Sequence, residues 1–354
     1  MASAAGFAPH RLRLSHAAMV GAGLALVLAL SVIANLRLGA VPVAWADLGG
    51  LIGISSADPG ALAVLMGIRL PRLLAALAVG ASLAVAGAAL QALFRNPLAE
   101  PGLLGVSTGA ALGAAAWFLF GAGLLSGFVS LDIARPFLLP IMSFAGALAA
   151  VGLVVWLGRS AGQGATVLML LVGIGINAIG GAMIGLATYI STDIQMRALS
   201  MWLLGSLAQT EWAVLAPALG LIGLATVALV NRHRALDLLA LGETPARHLG
   251  LDTDRLRWQI GLLTAIAVGA AVSLSGIIGF VGLIVPHMLR MAVGPAHRAL
   301  LPLCALGGAT MLSMADLAAR LIALPAEAPV GVIMALIGAP AFIWMLLRRR
   351  GGWA

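Results

Sequence analysis

There is no lysine in this sequence; all 20 basic residues are arginine. A phosphate-binding loop needs a lysine to reach the terminal phosphates, and a Schiff-base enzyme needs one as nucleophile. Neither chemistry can be built from this chain. There is one cysteine, Cys304, inside an apolar run. It cannot form an intrachain disulfide and is expected to pack as a small hydrophobe. Charge is also scarce, at 9% of 354 residues against 62% hydrophobic; soluble domains carry about a quarter charged residues. The formal net charge of +8 does not point to nucleic acid, because the arginines are spread between apolar runs and resemble topology signals. No nucleic-acid partner is expected.

What fills the chain is apolar sequence in runs of bilayer length, about 20 residues each. They fall near 17–36, 70–93, 102–121, 136–158, 166–190, 212–230, 258–276, 278–293, 299–321 and 330–347. The alternating short segments of a transmembrane barrel are absent from the pattern. The fold class is therefore all-α, a polytopic membrane protein of ten helices, read as one permease domain over 1–354. The first run follows Arg11 and Arg13 and exceeds a signal-peptide core of roughly 7–15 residues, so it is expected to be retained. With both termini cytoplasmic, residues 1–16 inside, fourteen arginines fall inside and six outside (Arg37, Arg69, Arg72, Arg135, Arg197, Arg320). That obeys the positive-inside rule. "SGIIGFVG" marks the break between the seventh and eighth helices. "GVSTGAALG" spaces Gly105, Gly109 and Gly113 four apart, the pattern of close helix packing within a subunit or, alternatively, of a dimer seam.

One stretch breaks the apolar rule. Residues 231–258, "NRHRALDLLALGETPARHLGLDTDRLRW", hold five arginines, two histidines, three aspartates and a glutamate. The segment is predicted to be cytoplasmic, with two short helices broken at Gly242 and Gly250. Thr244 is a candidate cap, with Pro245 at the first helical position. Read by itself it is either a solvated loop or a docking element for a cytoplasmic protein.

Here the sequence resembles a known family. "LALGETPARHLGLD" is similar to the coupling loop of permeases from ATP-driven importers of haem, ferric siderophores and cobalamin. "RLPRLLAALAVGASLAVAGAALQALFRNPLAEPGLLGVSTGAALG" resembles their second and third helices. "SGIIGFVGLIVPHMLRMAVGPAHRALLPLCALGGATMLSMADLAAR" resembles the region through their ninth helix, and "APVGVIMALIGAPAFIWMLLRRR" their last helix. The resemblance implies a homodimeric type II importer permease in a bacterial inner membrane. It implies two ATP-binding subunits that hydrolyse ATP on the permease's behalf, and a periplasmic binding protein that delivers the cargo. No permanently bound cofactor, no metal site and no enzymatic activity of its own are expected. Membrane lipid is its other expected partner.

The resemblance also assigns residues. Gly242, Glu243, Ala246, Leu249 and Gly250, in the loop 231–257, match the part that rests in the ATPase cleft. Arg69, Arg72 and Arg320 match arginines that receive glutamates of the binding protein; alternatively they anchor helix ends or pair internally. Asp316, four before Arg320, is placed for a helix ion pair with it. "TYISTDIQMRALSMWLLGSL" resembles haem permeases more than siderophore permeases. Arg197 could meet a propionate, with Met196, Met201 and Trp202 against a flat ring; alternatively Arg197 caps its helix. Haem is thus the first expected cargo, with a ferric siderophore or cobalamin as alternatives. His287, in "VPHML", is expected to be structural. A stand-alone secondary carrier is the rival from another class, weakened by the scarcity of intramembrane acids.

Overall fold

A computed structural model describes residues 10–51, 53, 58–125, 135–159, 164–322 and 326–348. Ten long helices carry the fold: α1 (His10–Arg37), α2 (Leu70–Leu93), α3 (Val106–Leu125), α4 (Arg135–Gly158), α5 (Ala165–Ile190), α6 (Trp212–Val230), α7 (Thr253–Ser275), α8 (Val281–Val293), α9 (His297–Ile322) and α10 (Val330–Arg348). Seven are long and apolar enough to cross a bilayer, and α3, α8 and α10 are shorter apolar helices. The expected ten-helix plan thus stands.

The bundle is organised around α2. About 78% of the apolar window ending in α2 is buried, against 6% for α1. The sequence explains why. Ala75, Ala76, Ala84, Ala86, Ala88 and Ala89 have no exposed surface, so α2 is thin enough for α6, α7, α8 and α9 to close on it together. In lipid there is little hydrophobic drive between helices, and close backbone approach supplies the dispersion contacts instead. At the α2–α9 crossing, a Cβ on Gly80 would collide with the Gly308 carbonyl, and one on Gly308 with that of Gly80. Gly109 of α3 and Gly146 of α4 exclude each other's Cβ in the same way. The small-residue spacing therefore serves packing inside the subunit, as expected. Gly105, however, lies outside α3: the chain makes a 3-10 turn at Pro101–Leu104, and Gly105 ends it with φ +77°. The predicted start at 102 is corrected to 106 for that reason.

The break between α7 and α8 falls where predicted. Gly276 caps α7 with φ +66°, and an added Cβ there would meet the Trp202 carbonyl. The Ser206 amide donates to the Ser275 carbonyl at 2.7 Å. The short helix Asp193–Leu203 is thereby tied to the α7–α8 break.

Two ends of the bundle carry the polar residues. The end predicted to face outward holds Arg69, Arg72 and Arg320. The opposite end holds the short helices His233–Ala240 and Glu243–His248.

Candidate functional site

The short-helix end is built by burying one face of each helix. In His233–Ala240, Leu236 and Leu239 pack into the core. The His297 amide and ring Nδ1 both contact the Asp237 carboxylate, at 2.9 and 2.7 Å, which pins this helix to the start of α9. In Glu243–His248 only Ala246 is fully buried. The expected cap is corrected: the helix starts at Glu243 with Gly242 as its N-cap residue, not at Pro245 with Thr244 as cap. Gly242 has φ +113°, a conformation that favours glycine. Pro245 then falls inside the first turn, where its missing N–H has no intrahelical partner to lose.

The Glu243 carboxylate holds the helix to α7. Its Oε1 accepts from Arg257 Nη1 at 2.8 Å and from Arg247 Nη2 at 3.1 Å. Arg247 also donates from Nε to the Thr253 hydroxyl at 2.9 Å, and Asp254 pairs with both arginines. Burial alone would raise the Glu243 carboxyl. The hydrogen bonds and charges of Arg257 and Arg247 outweigh it and hold the carboxyl below the ordinary glutamate range.

This network divides the five residues expected to meet an ATPase. Glu243 turns inward to α7 and Ala246 is buried, so both position the helix. Leu249 and Gly250 are exposed. Leu249 is 61% exposed and Leu241 62%, two large apolar side chains on a polar element beyond the membrane spans. Leu241, like the Arg247 and Arg257 partnerships, was missed from sequence. Its place just before Gly242 was the available signal.

At the other end, the three arginines all turn inward. Arg72 grips Asp316 from Nε and Nη2 at 2.9–3.0 Å and holds Glu327 from Nη1 at 2.6 Å. Arg69 donates to the carbonyls of Leu36 and Val41. Arg320 donates to the Asn35 side chain and, at 3.3–3.4 Å, to the carbonyls of Asn35 and Leu38. Arg69 and Arg320 thus satisfy carbonyls at and just beyond the α1 C-terminus, where cations are favoured. The sequence pairing of Asp316 with Arg320 is corrected in rank. That contact is 3.5 Å, and Arg320 Nε makes no hydrogen bond, whereas Arg72 presents two donors to the carboxylate.

Arg69, Arg72 and Arg320 are each about 5–6% exposed. Their burial leaves little guanidinium surface for a binding-protein carboxylate to reach while these side chains keep their present positions. A glutamate in place of Arg72 would face buried Asp316, and one in place of Arg69 would face the carbonyls of Leu36 and Val41.

The short helix Asp193–Leu203 lies at the same end. Thr192 and Gln195 form a capping box at its start, so Arg197 is not its cap. Gln195 also donates to the Phe118 carbonyl at 2.9 Å, docking the helix on α3. Met196, Arg197 and Met201 are exposed, while Trp202 is partly buried and packs on the core. Among the described residues Arg197 makes no ion pair, and no three His, Cys, Asp or Glu converge as metal ligands. His287 is buried within α8.

Residues 13–348 match the profile of the FecCD transport family. The chain is 45% identical over 294 residues to the hemin transport system permease of Yersinia pestis, covering 80% of this chain and 83% of that protein. It is 46% identical over 282 residues to the vitamin B12 import system permease of Vibrio cholerae, covering 79% and 82%. A solved structure described as a metal-chelate type ABC transporter in an inward-facing conformation superposes with a TM-score of 0.80. It is 33% identical in sequence, over 92% of this chain and 98% of that one.

Proposed function

The chain belongs to the FecCD transport family, and from that premise we propose that it is the permease of an importer carrying haem across the inner membrane into the cytoplasm. The observation that carries the reading is the exposed helix Glu243–His248. It is braced from behind by Glu243 and Ala246, and Leu241 and Leu249 stand free just before and just after it. A short rigid element of this kind can transmit the closure of an ATP-binding subunit to α7 and α9, to which the two short helices are tied. Leu249 and Leu241 are the side chains that would enter such a subunit's cleft. The energy comes from ATP hydrolysed by that partner, and no resident cofactor takes part.

Two copies form the pathway in this reading. The exposed face of α5 supports it: Gly181 and Gly185, four apart on that face, have open space where a Cβ would sit, which invites close approach of a second helix. A binding protein docks at the arginine end. The cluster sets three guanidinium groups against two carboxylates, and Glu327, its accessible member at 41% side-chain exposure, could yield Arg72 to an incoming acid.

Haem is favoured as cargo by the similarity to the hemin permease and by Arg197 with Met196 and Met201 exposed at the same end. Arginine can bind a propionate with paired hydrogen bonds, and methionine adapts to flat apolar surfaces. A second reading, cobalamin, is favoured by the equal identity to the vitamin B12 permease. The deciding experiment places the complex in nanodiscs and measures ATPase stimulation by binding protein loaded with haem, ferric siderophore or cobalamin. The proposal expects stimulation by the haem-loaded form; stimulation by cobalamin alone would replace haem with the second reading.

A further inference from the structure

A further open groove adjoins the Glu243 network, whose Asp254 and Arg257 line its mouth. It runs between α4 and α7 at the short-helix end. Two adjoining cavities of about 560 and 330 Å³ share Val155, Arg159 and Trp258 and so form one slot. Its inner part is apolar, floored by Leu148, Gly152, Leu262 and Ala265. From Leu148 to Arg159 is eleven residues along α4 and its end, or about 16 Å at the helical rise. That is close to half of a bilayer's roughly 30 Å hydrocarbon core. The slot therefore reaches from one headgroup layer to near the middle of the membrane.

The mouth is cationic. Arg159 and Arg255 are exposed there, and among the described residues neither forms an ion pair. Asp254 and Arg257 also line the mouth. Asp254 is held by Arg247 and Arg257, and Arg257 by Glu243, so Asp254 does not neutralise the free pair. Trp156 and Trp258 flank the opening at 65% and 42% exposure. Tryptophan favours the level where headgroups meet hydrocarbon, which places the arginines at phosphate height.

We infer that this slot binds an anionic phospholipid of the cytoplasmic leaflet, one acyl chain lying along α4 and α7 and the phosphate between Arg159 and Arg255. Basic pockets between helices on this side suit anionic headgroups, and a guanidinium can grip phosphate with two bonds. A zwitterionic lipid brings its own cation toward two arginines and is disfavoured. The inference rests on the membrane orientation proposed above and not on the cargo.

The test uses the complex assembled with its ATP-binding partner, in phosphatidylcholine nanodiscs doped with brominated phosphatidylglycerol or, separately, with brominated phosphatidylcholine. Bromine quenches nearby tryptophan. The inference expects stronger quenching by the phosphatidylglycerol probe, and loss of the excess in W156F/W258F. Removing charge with R159A/R255A should lower relative affinity about fivefold for each arginine, while thermal unfolding stays put because both side chains are exposed. Equal quenching by the two probes, an excess that survives R159A/R255A, or no quenching at these tryptophans in the assembled complex would each overturn it. The same excess with cargo transport abolished would leave the lipid site standing and count only against the importer reading.

Discussion

The two ends of the molecule use the same chemistry, arginine against carboxylate, to opposite effect. At the predicted outer end, Asp316 has no exposed surface and Arg72 about 5%. At the other end, Glu243, Arg247 and Asp254 have side-chain exposures of 18%, 42% and 65%. The first network joins α1, α2 and α9, elements from opposite ends of the sequence, where water cannot replace a lost partner. The second joins one short helix to the start of the next span; its Arg257 is as buried as Arg72, but Glu243, Arg247 and Asp254 reach water, which can replace a lost partner there. A buried pair is costly to break even when it adds little net stability, whereas an exposed one is cheap to break. The comparison teaches that one end is built as a clasp and the other as a supported lever.

The largest effect should come from cutting the clasp. Asp316→Ala takes from buried Arg72 its bidentate carboxylate, leaving it Glu327 alone, and is expected to cost about 3–5 kcal/mol, seen as a large drop in thermal unfolding temperature in detergent. A variant that unfolds within a degree of wild type would mean the cluster is wetter than described. Next comes the brace of the lever. Glu243→Gln weakens two charge-assisted bonds and is expected to cost about 1–2 kcal/mol. Its diagnostic signature is local, namely faster amide exchange in 243–248 with α2 and α9 unchanged.

A smaller effect follows from pH. Because the Glu243 carboxyl is held below the ordinary range, its contribution is present above about pH 4.3, the usual glutamate value, and is lost as pH falls through the lowered value. Protection against exchange in 243–248, measured relative to the intrinsic rate at each pH, should fall only on acidification below that point, and Glu243→Gln should abolish the dependence; a loss of protection near neutrality would contradict the assignment. The smallest effect on stability belongs to Leu249→Ala, under about 0.5 kcal/mol for an exposed surface change. The same variant, above all with Leu241→Ala, should uncouple ATP hydrolysis from uptake. Unimpaired coupling would remove the proposed contact.

Much of the architecture could be read in advance, because bilayer thickness writes itself into run length and arginine placement. The turn at Gly276 and the stops at Gly242 and Gly250 were legible for the same local reason. What could not be read was direction. Arg69, Arg72 and Arg320 sit at helix ends where a partner-facing and an inward-facing arginine look alike in sequence. Only the arrival of Asp316 and the α1 carbonyls from distant positions decides between them. Asp316 and Arg320 at i and i+4 formed a local pattern, and it was outcompeted by Arg72, whose two donors meet the carboxylate squarely. Glu243 posed the same problem in smaller form: its acceptor role depends on Arg257, fourteen residues on.

The central claim is that this chain is a conduit moved from outside itself, through the lever at Leu241 and Leu249. The most direct measurement is solute accumulation in proteoliposomes containing the chain alone, under an imposed ion gradient, and again with the ATP-binding subunit, binding protein and ATP. The account predicts no uphill accumulation in the first case and ATP-dependent accumulation in the second. Uphill accumulation by the chain alone would contradict it.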